Sequence, residues 1–273
     1  MRNGILSKED YEEPCCPLAP PKKVTAIPTS RVIEKLDEYL HKNDYVSAER
    51  HLRYWLSEAE AGADMRGKLT VLNEQIGIYR KTGKEEECLA AIKSALELAA
   101  QINLDNTVTM VTTLVNAATG YKAFDRASQA LPLYQRARVI YEENLQQFDP
   151  RLGGLYNNMA LTLMALVNFE DAKELFEKAL DIMSHKEHGE TDMAITYCNL
   201  ADLACAKYGI EEGEKIITAC LENAERLLKT ESLPHDGYYA FVCEKCAPTF
   251  GYYGFFMAEK EFSDLSREIY ERA

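Results

Sequence analysis

Glycine and proline are scarce, at 14 and 9 of 273 residues, and five of the prolines fall within the first 28 positions. Little turn material is left for a many-stranded sheet. Long apolar runs are also missing. None approaches the roughly 18 residues that a bilayer-spanning helix needs. The opening stretch, MRNGILSKEDYEEP, has no apolar core of the kind an export signal carries, so none is expected. Positive charge is in deficit, with 31 Lys and Arg against 44 Asp and Glu and a net charge of −13. Nucleic-acid phosphates and anionic membrane surfaces both demand clustered cations, so neither is an expected partner. The acidity reads as a solubility charge.

Catalytic signatures are missing as well. GKEEE after Gly83 lacks the frame of a phosphate-binding loop, and neither HExxH nor GxSxG occurs. The five histidines, His41, His51, His185, His188 and His235, are scattered, and no nucleophile, base and orienter fall together. A non-enzymatic protein is expected. Of the eight cysteines, Cys88, Cys198, Cys205 and Cys220 sit in amphipathic stretches and read as small buried hydrophobes. Without an export signal, the expected compartment is the cytoplasm.

What is present is leucine, alanine and a period. Asn73, Asn116, Asn158 and Asn199 are separated by 43, 42 and 41 residues, each inside an apolar helical stretch with a second one after it. A fixed period of this size marks stacked helical hairpins. Counting from Asn116, Asn158 and Asn199, a small residue follows 14 positions on (Ala130, Ala172, Gly213). A large one follows 18 on (Tyr134, Phe176, Ile217), and a small one 21 on (Ala137, Ala179, Cys220). Small residues let helices cross closely, and the large one fills the groove between them. Cys88, Ile92 and Ala95 repeat the pattern after Asn73 with a shift of one residue.

Six hairpins are predicted: 31–61 turning at Asn43-Asp44, 65–102 at Thr82-Gly83, and 107–147 near Phe124-Asp125. They continue with 151–185 turning near Val167-Asn168, 190–230 at Gly209, and 237–272 near Glu259-Lys260. Ser30 is the expected N-cap of the first helix. Residues 1–29, with EEPCCPLAPPKKVTAIPTS, form a separate proline-rich arm expected to be extended. It could pack on the hairpins or on those of a second copy.

The stretch YNNMALTLMALVNFEDAKELFEKALDIM (156–183) resembles a tetratricopeptide repeat, and the resemblance extends over 31–272. The unit of about 42 residues exceeds the usual 34. In that it is similar to the longer repeats of kinesin light chains. The resemblance implies an all-α, right-handed superhelical solenoid of about six stacked antiparallel hairpins over 30–273. It implies a concave groove for a protein or peptide segment, lined by the first helix of each hairpin. Trp55 departs from the family, standing where a small residue is usual, and suggests a terminal repeat.

The resemblance carries the peptide-holding role to Asn73, Asn116, Asn158 and Asn199. A carboxamide both donates and accepts, so it can bond a peptide unit whatever the side chain. The alternative is that these asparagines join neighbouring helices and hold the stack together. On the same face lie Thr112, Thr119 and Lys122, then Asn157, Leu161 and Met164, then Ile195, Asp202 and Cys205. Only Arg80 and Lys122 could grip a carboxylate, and their spacing is not that of a clamp. An internal peptide segment is therefore expected.

The last hairpin, 236–273, differs from the rest. It holds eight aromatics between Tyr238 and Phe256, and Pro248 is expected to break or kink its first helix. Phe250, Gly251 and Gly254 fall where the groove face should run, with bare backbone open to a ligand. Sealing of the core by an aromatic cap is the competing reading. Cys243 and Cys246 could give two thiolates to zinc, with Cys15, Cys16 or His235 completing the set. Otherwise they are a redox pair, though not in the usual strand–helix context, or two plain thiols one turn apart. A peptide-responsive regulator without its own DNA-binding domain and a zinc-stabilised structural protein are the alternatives to a binding scaffold. Homodimerisation through the arm or the last hairpin fits any of them.

Overall fold

The computed structural model describes residues 24–272. Among them are eleven α-helices and no strand. In order these are α1 (Thr29–His41), α2 (Tyr45–Ala61), α3 (Met65–Lys81), α4 (Glu85–Gln101), α5 (Val108–Ala123) and α6 (Ala127–Asn144). There follow α7 (Pro150–Ala165), α8 (Phe169–Ser184), α9 (Glu190–Leu228), α10 (Gly237–Tyr252) and α11 (Phe256–Arg272). α9 is two helices meeting at Gly209, whose φ of 80° and ψ of 170° end one and start the next. The helices thus fall into six consecutive pairs. None of those described is long and apolar enough to cross a membrane.

Each pair turns on one residue with left-handed φ: Asn43, Gly83, Asp125, Val167, Gly209 and Gly254. That conformation lets the next amide reach back and cap the helix end. The amide of Asp44 donates to Tyr39 O at 2.9 Å, that of Lys84 to Tyr79 O at 2.9 Å, and that of Asn168 to Leu163 O at 2.9 Å. The first five turns stand where the sequence predicts them. The sixth does not. It lies at Gly254 (φ 85°), with Phe255 N donating to Phe250 O at 2.9 Å, and Glu259-Lys260 are already inside α11. Gly254 is therefore the turn residue rather than part of a helix face. Pro248 also departs from expectation, because α10 runs on through it. α1 starts at Thr29, with Pro28 rather than Ser30 in the N-cap position.

The chain divides into two compact units, the first ending at Val71 and the second beginning at Leu72, within α3. In the first, α1 packs on α2, and Val32, Leu36, Ala48, Leu52 and Ala59 are buried. The residues before α1 are tied to the turn after α2. Thr25 N donates to Gly62 O, and Ile27 N to Asp64 Oδ2, both at 2.9 Å. A side chain at Gly62 would strike Thr25 O, so glycine is needed for this close approach. Trp55 is half-buried, with its ring edge-on to His51 and Tyr54.

In the second unit each helix from α4 to α11 packs on the next. The small–large–small positions form the centre of that stack. Ala130, Tyr134 and Ala137, like Ala172, Phe176 and Ala179, are fully buried, as are Cys88, Ile92 and Ala95. Tyr134 keeps its hydroxyl satisfied inside the stack, 2.9 Å from Thr119 Oγ1. The aromatics of the last hairpin serve partly the same end. Phe250 is fully buried, 5.4 Å from the Phe262 ring and 6.2 Å from Phe255.

Candidate peptide-binding face

The asparagines lie on α3, α5, α7 and α9, the first helices of successive pairs; one of the three intervals is closed by a bond between two of them, and a second by Asn157 in place of Asn158. Asn116 Nδ2 donates to Asn73 Oδ1 at 3.2 Å, and Asn73 Nδ2 donates to Thr113 Oγ1 at 3.1 Å. This joins α3 to α5. Asn199 Nδ2 donates to Asn157 Oδ1 at 3.1 Å and joins α7 to α9 in the same manner. Asn73 and Asn199 are buried, so their carboxamides require such partners. Both rungs match the reading in which the asparagines bind the stack together.

The middle interval is open. Among the described residues no side-chain bond joins Asn116 to Asn158. Asn158 Nδ2 instead donates to Gly154 O in its own helix at 3.1 Å. Between α5 and α7 lies a cleft of about 290 Å³, lined by Thr112, Val115, Asn116, Arg151, Gly154 and Asn158 among others. Asn116 and Asn158 are each half-buried, and each retains a carboxamide oxygen that no described residue engages. Arg151 is held at the edge of the cleft by a two-point contact with Asp149, at 2.9 and 2.7 Å. The cleft is thus lined by two carboxamides with unengaged oxygens and by a guanidinium fixed by Asp149.

A second cleft, of about 410 Å³, lies between α9 and α10 and includes Asp202, Cys205, Pro248, Thr249 and Tyr253. Tyr253 Oη donates to Asp202 Oδ1 at 3.0 Å. Burial raises the Asp202 carboxyl above the ordinary carboxylate range, the bond from Tyr253 opposing it. Lys122, at the end of α5, makes no ion pair among the described residues. Burial, with Lys245 and Arg80 adding repulsion, brings its ammonium down to about 8.

Three positions expected on this face are placed otherwise. Phe250 is sealed in the core of the last hairpin and offers a ligand nothing. The backbone at Gly251 is already covered, since a side chain there would strike the Glu259 carboxylate. Gly254 is in the turn. Gly154, Arg151 and Thr113 were not singled out in the sequence. Gly154 stands four residues before Asn158, one helical turn away, and that spacing was the available signal.

The zinc reading finds no donor set. Among the described residues no three of His, Cys, Asp or Glu gather to hold a metal ion, and Cys15 and Cys16 lie outside those residues. Cys243 and Cys246 are buried in the core shared by α9, α10 and α11. Burial pushes the Cys243 thiol up to about 12, away from the thiolate that zinc requires. The Cys246 thiol beside Cys198, together with burial, raises Cys198 too. His235 stacks on Tyr239 at 4.4 Å.

Paired helices with left-handed turns and a buried small–large–small core are the marks of a helical-hairpin repeat. Residues 153–190 match the family model described as "Tetratricopeptide repeat", and the fold is that of a solenoid of such repeats. BtubC (BKLC) from P. vanneervenii superposes with a TM-score of 0.64 at 18% identity, over 75% of this chain and 83% of that one. A putative kinesin light chain from Podosopora anserina with nearly identical TPR-like repeats gives 0.52 at 16%, over 74% and 94%. NprR in complex with its cognate peptide NprX gives 0.57 at 14%, over 87% and 66%. Among curated proteins, a clustered mitochondria protein homolog from Lodderomyces elongisporus is 25% identical over 153 residues. That match takes in 55% of this chain and 11% of the relative, so the chain spans about a tenth of that protein.

Proposed function

We propose that this protein is a non-enzymatic binding scaffold that holds an extended peptide segment of a partner in the cleft between α5 and α7. The observation that carries the reading is the open interval between Asn116 and Asn158. Asn116 bonds Asn73 and Asn199 bonds Asn157, but no bond spans Asn116 and Asn158, whose carboxamides line a cleft of about 290 Å³ with their oxygens unengaged by described residues. An extended peptide offers amide donors at regular intervals, which such oxygens accept whatever its side chains. The likeness in fold to NprR with its peptide NprX supports a peptide as ligand, and the tetratricopeptide fold supports a scaffold over an enzyme. The neighbouring cleft at Asp202 and Tyr253 would continue the path toward α10.

The test is peptide display from a random library against wild type, with an Asn116→Ala, Asn158→Ala double variant in parallel. Clones enriched on wild type and lost on the double variant are expected. Equal recovery on both proteins would remove the cleft from the account. Failure to enrich any clone would remove the peptide.

A further inference from the structure

The six hairpin turns of this chain change character along it. Those of the second and third pairs are Thr82-Gly83-Lys84 and Phe124-Asp125-Arg126, and those of the last three are Leu166-Val167-Asn168, Tyr208-Gly209-Ile210 and Tyr253-Gly254-Phe255. At and beside the later turns several apolar side chains stand in solvent, although Tyr253 and Phe255 pack against the core. Val167 is 70% exposed, Ile210 54%, Tyr252 69% and Met257 82%. Val167 adds a conformational cost, because a β-branched residue at φ 62° is strained where glycine or asparagine would not be.

These turns lie side by side. Lys207, just before the fifth turn, pairs with Glu170, just after the fourth. A cleft of about 370 Å³ is shared by Ile210 and Ile217 of α9 and by Tyr252 and Phe255 at the sixth turn. Neighbouring packed helices are about 8–10 Å apart. Ile210 and Tyr252 thus flank one cleft, with Val167 and Met257 exposed at and near the turns on either side, and exposed apolar clusters mark interaction sites on soluble proteins.

The charge beside this cleft is mostly negative, with Glu211, Glu212 and Glu214 against Lys215. Glu211 and Glu214 line the shared cleft, and neither makes an ion pair among the described residues. Of the two cations close by, Lys207 is already neutralised by Glu170, and Lys215 is outnumbered by the three carboxylates. We propose that this turn edge is a second docking surface, for an amphipathic helix with apolar anchors and lysine or arginine flanks. Anchors at i and i+7 are about 10 Å apart on a helix, which matches the spacing of adjacent turns. A second copy of this chain is a poorer occupant, because a two-fold contact would set Glu211 and Glu214 against their own kind. The surface is separate from the α5–α7 cleft and adjoins the Asp202–Tyr253 cleft, which Tyr252 also lines.

The experiment uses two fluorescent 18-residue helical peptides with identical leucine anchors, one with lysines at the remaining positions and one with glutamates. Binding to the full chain is read by anisotropy at low and moderate salt. The lysine peptide is expected to bind at least tenfold more tightly than the glutamate peptide. An Ile210→Ser, Tyr252→Ser variant, whose changes are at exposed positions, should lose at least tenfold. Glu211→Gln with Glu214→Gln should flatten the salt dependence, and Asn158→Ala should change nothing. Equal binding of both peptides, no binding of either, or full retention by the Ser double variant would overturn the proposal. So would a concentration-dependent dimer in sedimentation that the Ser variant abolishes, which would make the edge a self-contact.

Discussion

Between α3 and α5, and again between α7 and α9, an asparagine carboxamide of one repeat bonds that of the next at 3.2 and 3.1 Å. Between α5 and α7 the matching pair stands apart, with a cleft in the place of the bond. The sequence interval is nearly the same in all three cases. The difference lies in which neighbour each carboxamide finds. Asn157 meets Asn199, whereas Asn158, one position on, bonds Gly154 of its own helix. A repeated residue can thus join helices at one interval and line an open cleft at the next. Period alone does not distinguish them.

The largest expected effect breaks both regions together. Phe176→Ala removes a fully buried ring from the centre of the stack and should cost about 3–5 kcal/mol by denaturant titration. Next comes the direct contrast. Asn73→Ala leaves Thr113 and Asn116 without a partner and should cost about 1–3 kcal/mol. Asn158→Ala gives up only a bond within its own helix and should stay within about 0.5 kcal/mol. Equal losses from the two would erase the distinction between rung and gap. Gly154→Ala sharpens the contrast from another side. A side chain there meets nothing within 4 Å, so the helix should gain about 0.5–1 kcal/mol while the cleft shrinks and peptide affinity falls.

The smallest effect concerns Lys122, near the end of α5. Its native value of about 8 lies below the roughly 10.4 of an unfolded lysine. Between those values the unfolded chain binds more protons, so this residue makes stability rise with pH through that window. Below pH 8 its charged form weighs against the native state. Lys122→Met should therefore stabilise the fold at pH 7 more than at pH 10. The same increment at both pH values would contradict the assignment.

Much of the fold was legible in the sequence because its causes are local or periodic. The buried sets Ala130–Tyr134–Ala137 and Ala172–Phe176–Ala179 show helix crossing as residue size, and Gly83 and Gly209 mark turns by their backbone freedom. The sixth turn was misplaced because the aromatic run around Gly251 and Gly254 hides which glycine is left-handed. Pro248 suggested a break that packing against α11 overrides. The asparagine face was visible as a set of residues, but the hydrogen-bond partners were not. Those depend on the approach of helices some 42 residues apart, which no local pattern encodes.

The account rests on the open interval, and the most direct test is NMR of the asparagine side-chain amides during titration with a display-selected peptide. The carboxamide signals of Asn116 and Asn158 should shift on binding, while those of Asn157 and Asn199 hold still. Movement of the Asn157–Asn199 pair with Asn116 and Asn158 unmoved would contradict it.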